Sequence, residues 1–171
     1  MNAMPDPQAA GSGDSQMCAL AGKYLAFALA REEYCLPVLK VREIIKAMDI
    51  TQVPQVPAHV RGVINLRGKV IPVVDLRLKF GFEEQGYTER TCIIVVEVDL
   101  RGATTMMGVV VDTVSEVLNI PGTDIDPTPN FGGAVAPDVI LGLAKVRGSV
   151  KILLDLDRAL GADVRAGGYG F

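Results

Sequence analysis

Side chains able to do covalent or metal chemistry are sparse in this chain and never converge. His59 is the single histidine of the 171 residues, and no Cys or carboxylate stands near it at metal-ligand spacing. Nucleophilic catalysis needs a nucleophile beside a base, and the Gly-x-Ser-x-Gly elbow that would supply one is absent. Its place between Pro57 and an apolar run marks His59 as a loop or capping residue. Cys18, Cys35 and Cys92 are odd in number and widely spaced, which argues against a disulfide framework and against a zinc knuckle. Cys35 and Cys92 lie in apolar, strand-like runs and read as buried thiols. There is no Gly-x-x-x-x-Gly-Lys-[Ser/Thr] loop and no Gly-x-Gly-x-x-Gly after a strand. No enzymatic activity, metal or cofactor is therefore expected.

The polar residue that stands out is Arg67. The run Gly62-Val63-Ile64-Asn65-Leu66-Arg67-Gly68-Lys69-Val70-Ile71-Pro72-Val73-Val74-Asp75-Leu76-Arg77 places two β-type segments around a tight connection with one cation near its tip. Gly68 can take the positive φ such a turn needs. Arg67 reads either as an ordinary solvated turn cation or as a contact residue on a rigid hairpin.

The elements that would hold this hairpin are mostly short strands. Lys23–Leu29 and Tyr34–Val38 read as two strands around a charged turn at Ala30–Glu33. Pro37 and Pro72 fall in strand-like runs, which suggests edge strands open to docking. Val41, Ile44, Ile45 and Met48 recur at three-to-four spacing, predicting a short helix or helical turn over Leu39–Met48. Pro54 and Pro57 lead into the Arg67 hairpin, and a turn at Lys79–Gly81 ends a first β-rich half. Strand signals resume from about residue 91, at Thr91–Val98, Met106–Asp112 and Val114–Ile120. A Pro-rich loop carries Phe131, which suits either an interface anchor or a core plug. Val139–Val146 and Val150–Leu154 form a last hairpin, and Asp155–Leu160 has the capping chemistry of a short closing helix. Tyr24, Phe27, Ile94 and Val110 fit core positions by alternation. Residues 1–21 and 161–171 lack apolar periodicity and are expected to be flexible tails around one domain over 22–160, read as two interleaved β-rich subdomains with the second half from about residue 91.

Composition narrows the partners. The chain is 49% hydrophobic with a formal charge of −3 and no Trp, so it can bury a core but offers little to a phosphate backbone or to stacked bases. No apolar run approaches the ~18 to 20 residues of a spanning helix. Acidic Asp6 and Asp14 precede the Met17–Ala30 stretch, where a secretory signal would carry basic residues. The expected address is the cytoplasm.

Three blocks resemble the CheW family in sequence and in order: the Arg67 hairpin, Val109–Leu118, and Leu141–Ala144 followed by Ile152–Leu156. The resemblance spans roughly Gly22 to Leu160. It implies an all-β fold of two five-stranded SH3-like barrels on a shared hydrophobic core, with short helices including a C-terminal one. It also implies a chemotaxis adaptor that joins the helical cytoplasmic tip of chemoreceptors to the regulatory domain of the histidine kinase CheA, recruited to membrane-associated arrays through those partners. The same resemblance matches Val41, Glu43, Arg61, Gly62, Asn65, Arg67 and Gly68 to the receptor-binding region. By residue type, Arg61, Arg67 and Glu43 can orient one another as an exposed ion-pair cluster, while Val41 suits either that surface or the core. Pro127, Pro129 and Phe131 fall in the loop the resemblance links to the kinase, with Asp126 and Asn130 where its well-known form has Arg and Glu. Two rivals stand beside this reading: the same scaffold in a non-chemotaxis pathway such as surface motility, and a small ligand-binding or hydrolytic barrel, which would need a polar pocket.

Overall fold

The computed structural model describes residues 20–83, 86–100, 102–126 and 139–165. Strands β1 (Gly22–Leu29) and β2 (Glu32–Pro37) form a hairpin, followed by a 3-10 turn at Val38–Lys40 and by β3 (Val41–Lys46). The Arg67 hairpin is β4 (Val60–Leu66) and β5 (Lys69–Asp75), capped by helix α1 (Leu76–Lys79). Then come β6 (Cys92–Leu100), β7 (Ala103–Val111), β8 (Thr113–Ile120), a two-residue β9 (Ile125–Asp126), β10 (Ile140–Val146), β11 (Ser149–Leu154) and helix α2 (Leu156–Arg165). The closing helix thus runs beyond Leu160.

Val41–Lys46 is a strand, not the helix its spacing predicted. Val41, Ile44 and Ile45 are β-branched, with stiff χ1 angles that favour an extended backbone, and β3 pairs antiparallel with β6 from Val41↔Val96 to Lys46↔Cys92. The apolar spacing there fits both periods, and tertiary pairing decides between them.

The strands make two sheets, ordered β8-β1-β2-β11-β10-β9 and β3-β6-β7-β5-β4. This division differs from a boundary near residue 91: β6 and β7 complete the first barrel, and β1 and β2 belong with the last strands. The edge-strand expectation also fails, since β2 and β5 are both interior. Their prolines are accommodated because the parallel pairings are short. Pro72 faces Val63 on one side, while the β5–β7 register begins only at Val73. Pro37 ends β2 beyond the two-residue pairing with β11.

Three apolar clusters result. One fills the barrel of β3 to β7 with Ile64, Ile71, Val73, Ile93, Val95 and Val110. Another fills the second barrel with Tyr24, Ala26, Cys35, Leu118, Ile125 and Leu153, among others. The largest lies between the barrels and draws on Phe27, Tyr34, Leu36, Ile94, Val96, Val109, Leu154 and Leu160. Strands β1 and β6 therefore bury both faces, which explains why they read as continuous apolar runs rather than alternating ones. Tyr24, Phe27, Ile94 and Val110 are all buried, as expected, though on β1 and β6 both faces are covered. Lys40 ties the barrels at their rim, with Nζ 3.0 Å from Asp99 and 2.9 Å from Asp157 of α2.

Candidate functional site

The β4–β5 hairpin closes through a two-residue turn, Arg67 and Gly68, with φ of 52° and 83°. Both residues are left-handed, as a turn that matches strand twist requires. Reading the sequence assigned positive φ to Gly68 alone; Arg67 shares it, at a steric cost glycine would avoid. Asn65 Oδ1 accepts from the Gly68 amide at 3.0 Å and locks the turn, so Asn65 acts as its cap. The Arg67 side chain is 76% exposed, and its guanidinium donates to both oxygens of Glu43 on β3, at 3.0 and 2.7 Å. That bidentate pair spans from the hairpin tip to the opposite end of the sheet. It fixes a long flexible cation in one direction, which an unpaired turn Arg would lack.

Gly62 is buried at a register shift in β4. It supports the site rather than facing out of it: with φ +137°, any Cβ there would overlap the Thr51 carbonyl oxygen, and Thr51 bridges to Val63 by two hydrogen bonds of 2.9 Å. Val41 is half-buried and packs on the inter-barrel cluster.

Arg61 is held by a different carboxylate from Arg67. Its Nε and terminal nitrogen lie 3.3 and 3.2 Å from Asp75 Oδ2. Asp75 is fully buried and also receives Arg77 through its amide at 3.0 Å and its guanidinium at 3.1 and 2.9 Å. Hydrogen bonding to Asp75, against an opposing desolvation, raises the Arg77 pKa above the ordinary value. Arg77 reaches on to Asp112 at 3.1 Å and lies 5.6 Å from the Tyr87 ring centroid. Reading residues from sequence missed Asp75, Arg77 and Asp112; the available signal was a charged Asp-Leu-Arg at the end of a buried strand. The expected three-residue cluster is therefore two systems, an exposed Arg67–Glu43 pair and a largely buried Arg61–Asp75–Arg77 one.

Beside the 3-10 turn, Leu20, Gly22, Tyr24, Pro37, Leu39 and Leu141 line an apolar groove, and Leu39 is 89% exposed there. Cys35 is fully buried and Cys92 half-buried. No group of His, Cys, Asp and Glu among the described residues has the geometry to hold a metal ion. Pro127, Pro129 and Phe131, together with Asn130, lie outside the described residues, as does Cys18.

A family model described as the CheW-like domain matches residues 23–164. The chain is 35% identical over 144 residues to the chemotaxis protein CheW of Klebsiella aerogenes, covering 84% of each chain. It is 34% identical over 114 residues to protein FrzA of Myxococcus xanthus, covering 67% of this chain and 68% of that one. The crystal structure of the scaffolding protein TtCheW from Thermoanaerobacter tengcongensis superposes with a TM-score of 0.74 at 35% identity, over 82% of this chain and 93% of that one.

Proposed function

The chain belongs to the CheW-like domain family, and on that premise we propose that it is a non-enzymatic chemotaxis adaptor coupling chemoreceptors to the histidine kinase CheA. Its action is placement. Binding a receptor tip on one surface and the kinase regulatory domain on another raises their effective concentration and lets receptor conformation bias the kinase. The protein works in the cytoplasm, recruited to membrane-associated arrays through these partners.

The observation that carries the receptor assignment is the Arg67 display: a strongly exposed guanidinium pinned by Glu43 on a rigid two-residue turn. An exposed ion pair contributes only about 0 to 1 kcal/mol to stability, so the rigid geometry is better spent on partner specificity. Arg67, Glu43, Asn65 and Gly68 form this surface, with Arg61 at its base and Gly62 holding the strand beneath. Val41, half-buried beside Glu43 on β3, adds an apolar contact to that surface. The kinase contact is assigned to the segment of Pro127, Pro129 and Phe131. The Leu39 groove offers an apolar seat of the kind that helix-in-groove recognition uses.

A second reading, the same scaffold in a chemosensory array with another output, is favoured by the similarity to FrzA, a relative whose name is not that of a chemotaxis protein.

Sedimentation of the protein with a soluble receptor fragment bearing the cytoplasmic tip and with the CheA regulatory domain tests the proposal. A ternary complex is expected. Mutual exclusion of the two partners would overturn the bridging role.

A further inference from the structure

The second barrel repeats the Arg67 display in detail. In strand order, β8-β1-β2-β11-β10 matches β3-β6-β7-β5-β4, each with one parallel contact between two antiparallel hairpins and a flanking strand. The β10–β11 turn is Arg147–Gly148, with φ of 50° and 79° against 52° and 83° in the first hairpin. Arg147 donates to both oxygens of Glu116 at 3.3 and 2.8 Å, and Glu116 lies on β8, the counterpart of the strand that carries Glu43. Gly142 sits at a register shift as Gly62 does. A Cβ on Gly142 would lie 2.9 Å from the Asp126 carbonyl oxygen. Exposed apolar residues recur as well: Val150 at 54% matches Val70 at 65%, and Val117 at 59% matches Ile44 at 43%.

Turn stability does not account for this. Asn, Asp or Gly suits the first position of such a turn better than Arg, and an exposed ion pair adds little to folding. Hairpin tips with an oriented guanidinium and uncovered valines have the mixed character of contact surfaces, an apolar centre with a polar rim. Arg147 engages Glu116 through two of its five N–H donors, leaving the others for an incoming carboxylate. Lys145, paired with Asp126 at 3.3 Å and 68% exposed, adds a second cation beside it. Leu141 stands where the first barrel has Arg61 and lines the Leu39 groove instead.

We propose that the β10–β11 hairpin with β8 is a second docking surface, and that its occupant is of the kind assigned to the Arg67 face, a helical receptor tip, here one presenting an apolar side chain to Val150 and a carboxylate to Arg147. The adaptor would then hold two tips per chain. This rests on the receptor assignment of Arg67.

Isothermal titration of the full chain with a soluble receptor fragment bearing the tip, using Arg67→Glu, Arg147→Glu and the double variant, decides it. Two tips per chain are expected, one in either single variant, and an affinity loss of at least about tenfold in the double. Each variant's melting temperature is measured alongside, and Val150→Ser reads the same face without touching the turn. One tip per chain with Arg147→Glu and Val150→Ser both binding normally would overturn the second surface while leaving the Arg67 reading intact. If Arg67→Glu also binds normally, both fail. If Arg147→Glu instead weakens self-association or kinase binding with tip stoichiometry intact, the face belongs to another partner and the proposal is wrong.

Discussion

Arg61 and Asp75 are joined by two hydrogen bonds to one carboxylate oxygen, at 3.3 and 3.2 Å, and this links the base of the Arg67 surface to a charge network that crosses between barrels. Asp75 holds Arg77, Arg77 donates to Asp112, and Asp112 accepts from the Ala30 amide in the β1–β2 turn at 2.7 Å. The network therefore runs from β4 of one barrel to the hairpin of the other.

Removing its centre deprives a buried cation of its main partner. Asp75→Ala leaves Arg77, which is 3% exposed, with Asp112 as its remaining carboxylate, and should cost about 3 kcal/mol of folding stability. Arg61→Ala should cost far less, because Asp75 keeps Arg77 and the α1 amide. Urea unfolding of both variants checks this; equal midpoints would mean that the network is not what holds the strand ends.

Gly62 and Gly68 both have positive φ but differ in surroundings. A Cβ on Gly68 meets nothing within 4 Å, whereas on Gly62 it collides with Thr51 backbone. Gly68→Ala should cost about 1 kcal/mol from backbone strain alone. Gly62→Ala should cost more than ~3 kcal/mol and open the Thr51–Val63 bridge. Thermal melts, with amide exchange at Val63, separate the two, and similar melting temperatures would contradict the assigned roles.

Burial pushes the Cys35 thiol up from 9.0 to about 12, with a smaller contribution from Glu116. Its folded pKa is raised, so the associated stability is fully present below 9.0 and is lost as pH climbs toward about 12. The slope is at most about 1.4 kcal/mol per pH unit from this group. Tyr24 and Tyr34, also raised mainly by desolvation, act in the same direction. Unfolding midpoints should therefore fall on alkaline titration, and less steeply in Cys35→Ala. A flat profile, or an unchanged slope in the variant, would show that Cys35 ionises freely in the native state.

The Arg67 hairpin was legible because its signals are local: β-branched runs on either side of an Arg-Gly turn. The register-shift glycines and the specific strand pairings were not. Pairing β6 with β3, or β11 with β2, joins residues far apart in sequence, and no local pattern encodes that choice. Apolar spacing at Val41, Ile44, Ile45 and Met48 misled for the opposite reason, since it satisfies helix and strand alike and only the β6 partner selects. The Arg67/Arg147 repeat escaped notice because the barrels are circularly permuted in strand order, which leaves Leu-Arg-Gly-Lys-Val against Val-Arg-Gly-Ser-Val as the clearest trace. Asp75 and Arg77 were hidden by burial. A charged pair at the end of an apolar strand reads as a turn until its partners are known.

Affinities of Arg67→Ala for the receptor tip and for the kinase regulatory domain, measured with its melting curve, test the adaptor account most directly. The turn loses an exposed cation, so stability should stay within about ±0.5 kcal/mol. Receptor-tip binding should weaken by about 2 kcal/mol or more, with kinase-domain binding unchanged. Equal loss of both affinities, or a large drop in melting temperature, would mean that Arg67 is structural and that the receptor surface lies elsewhere.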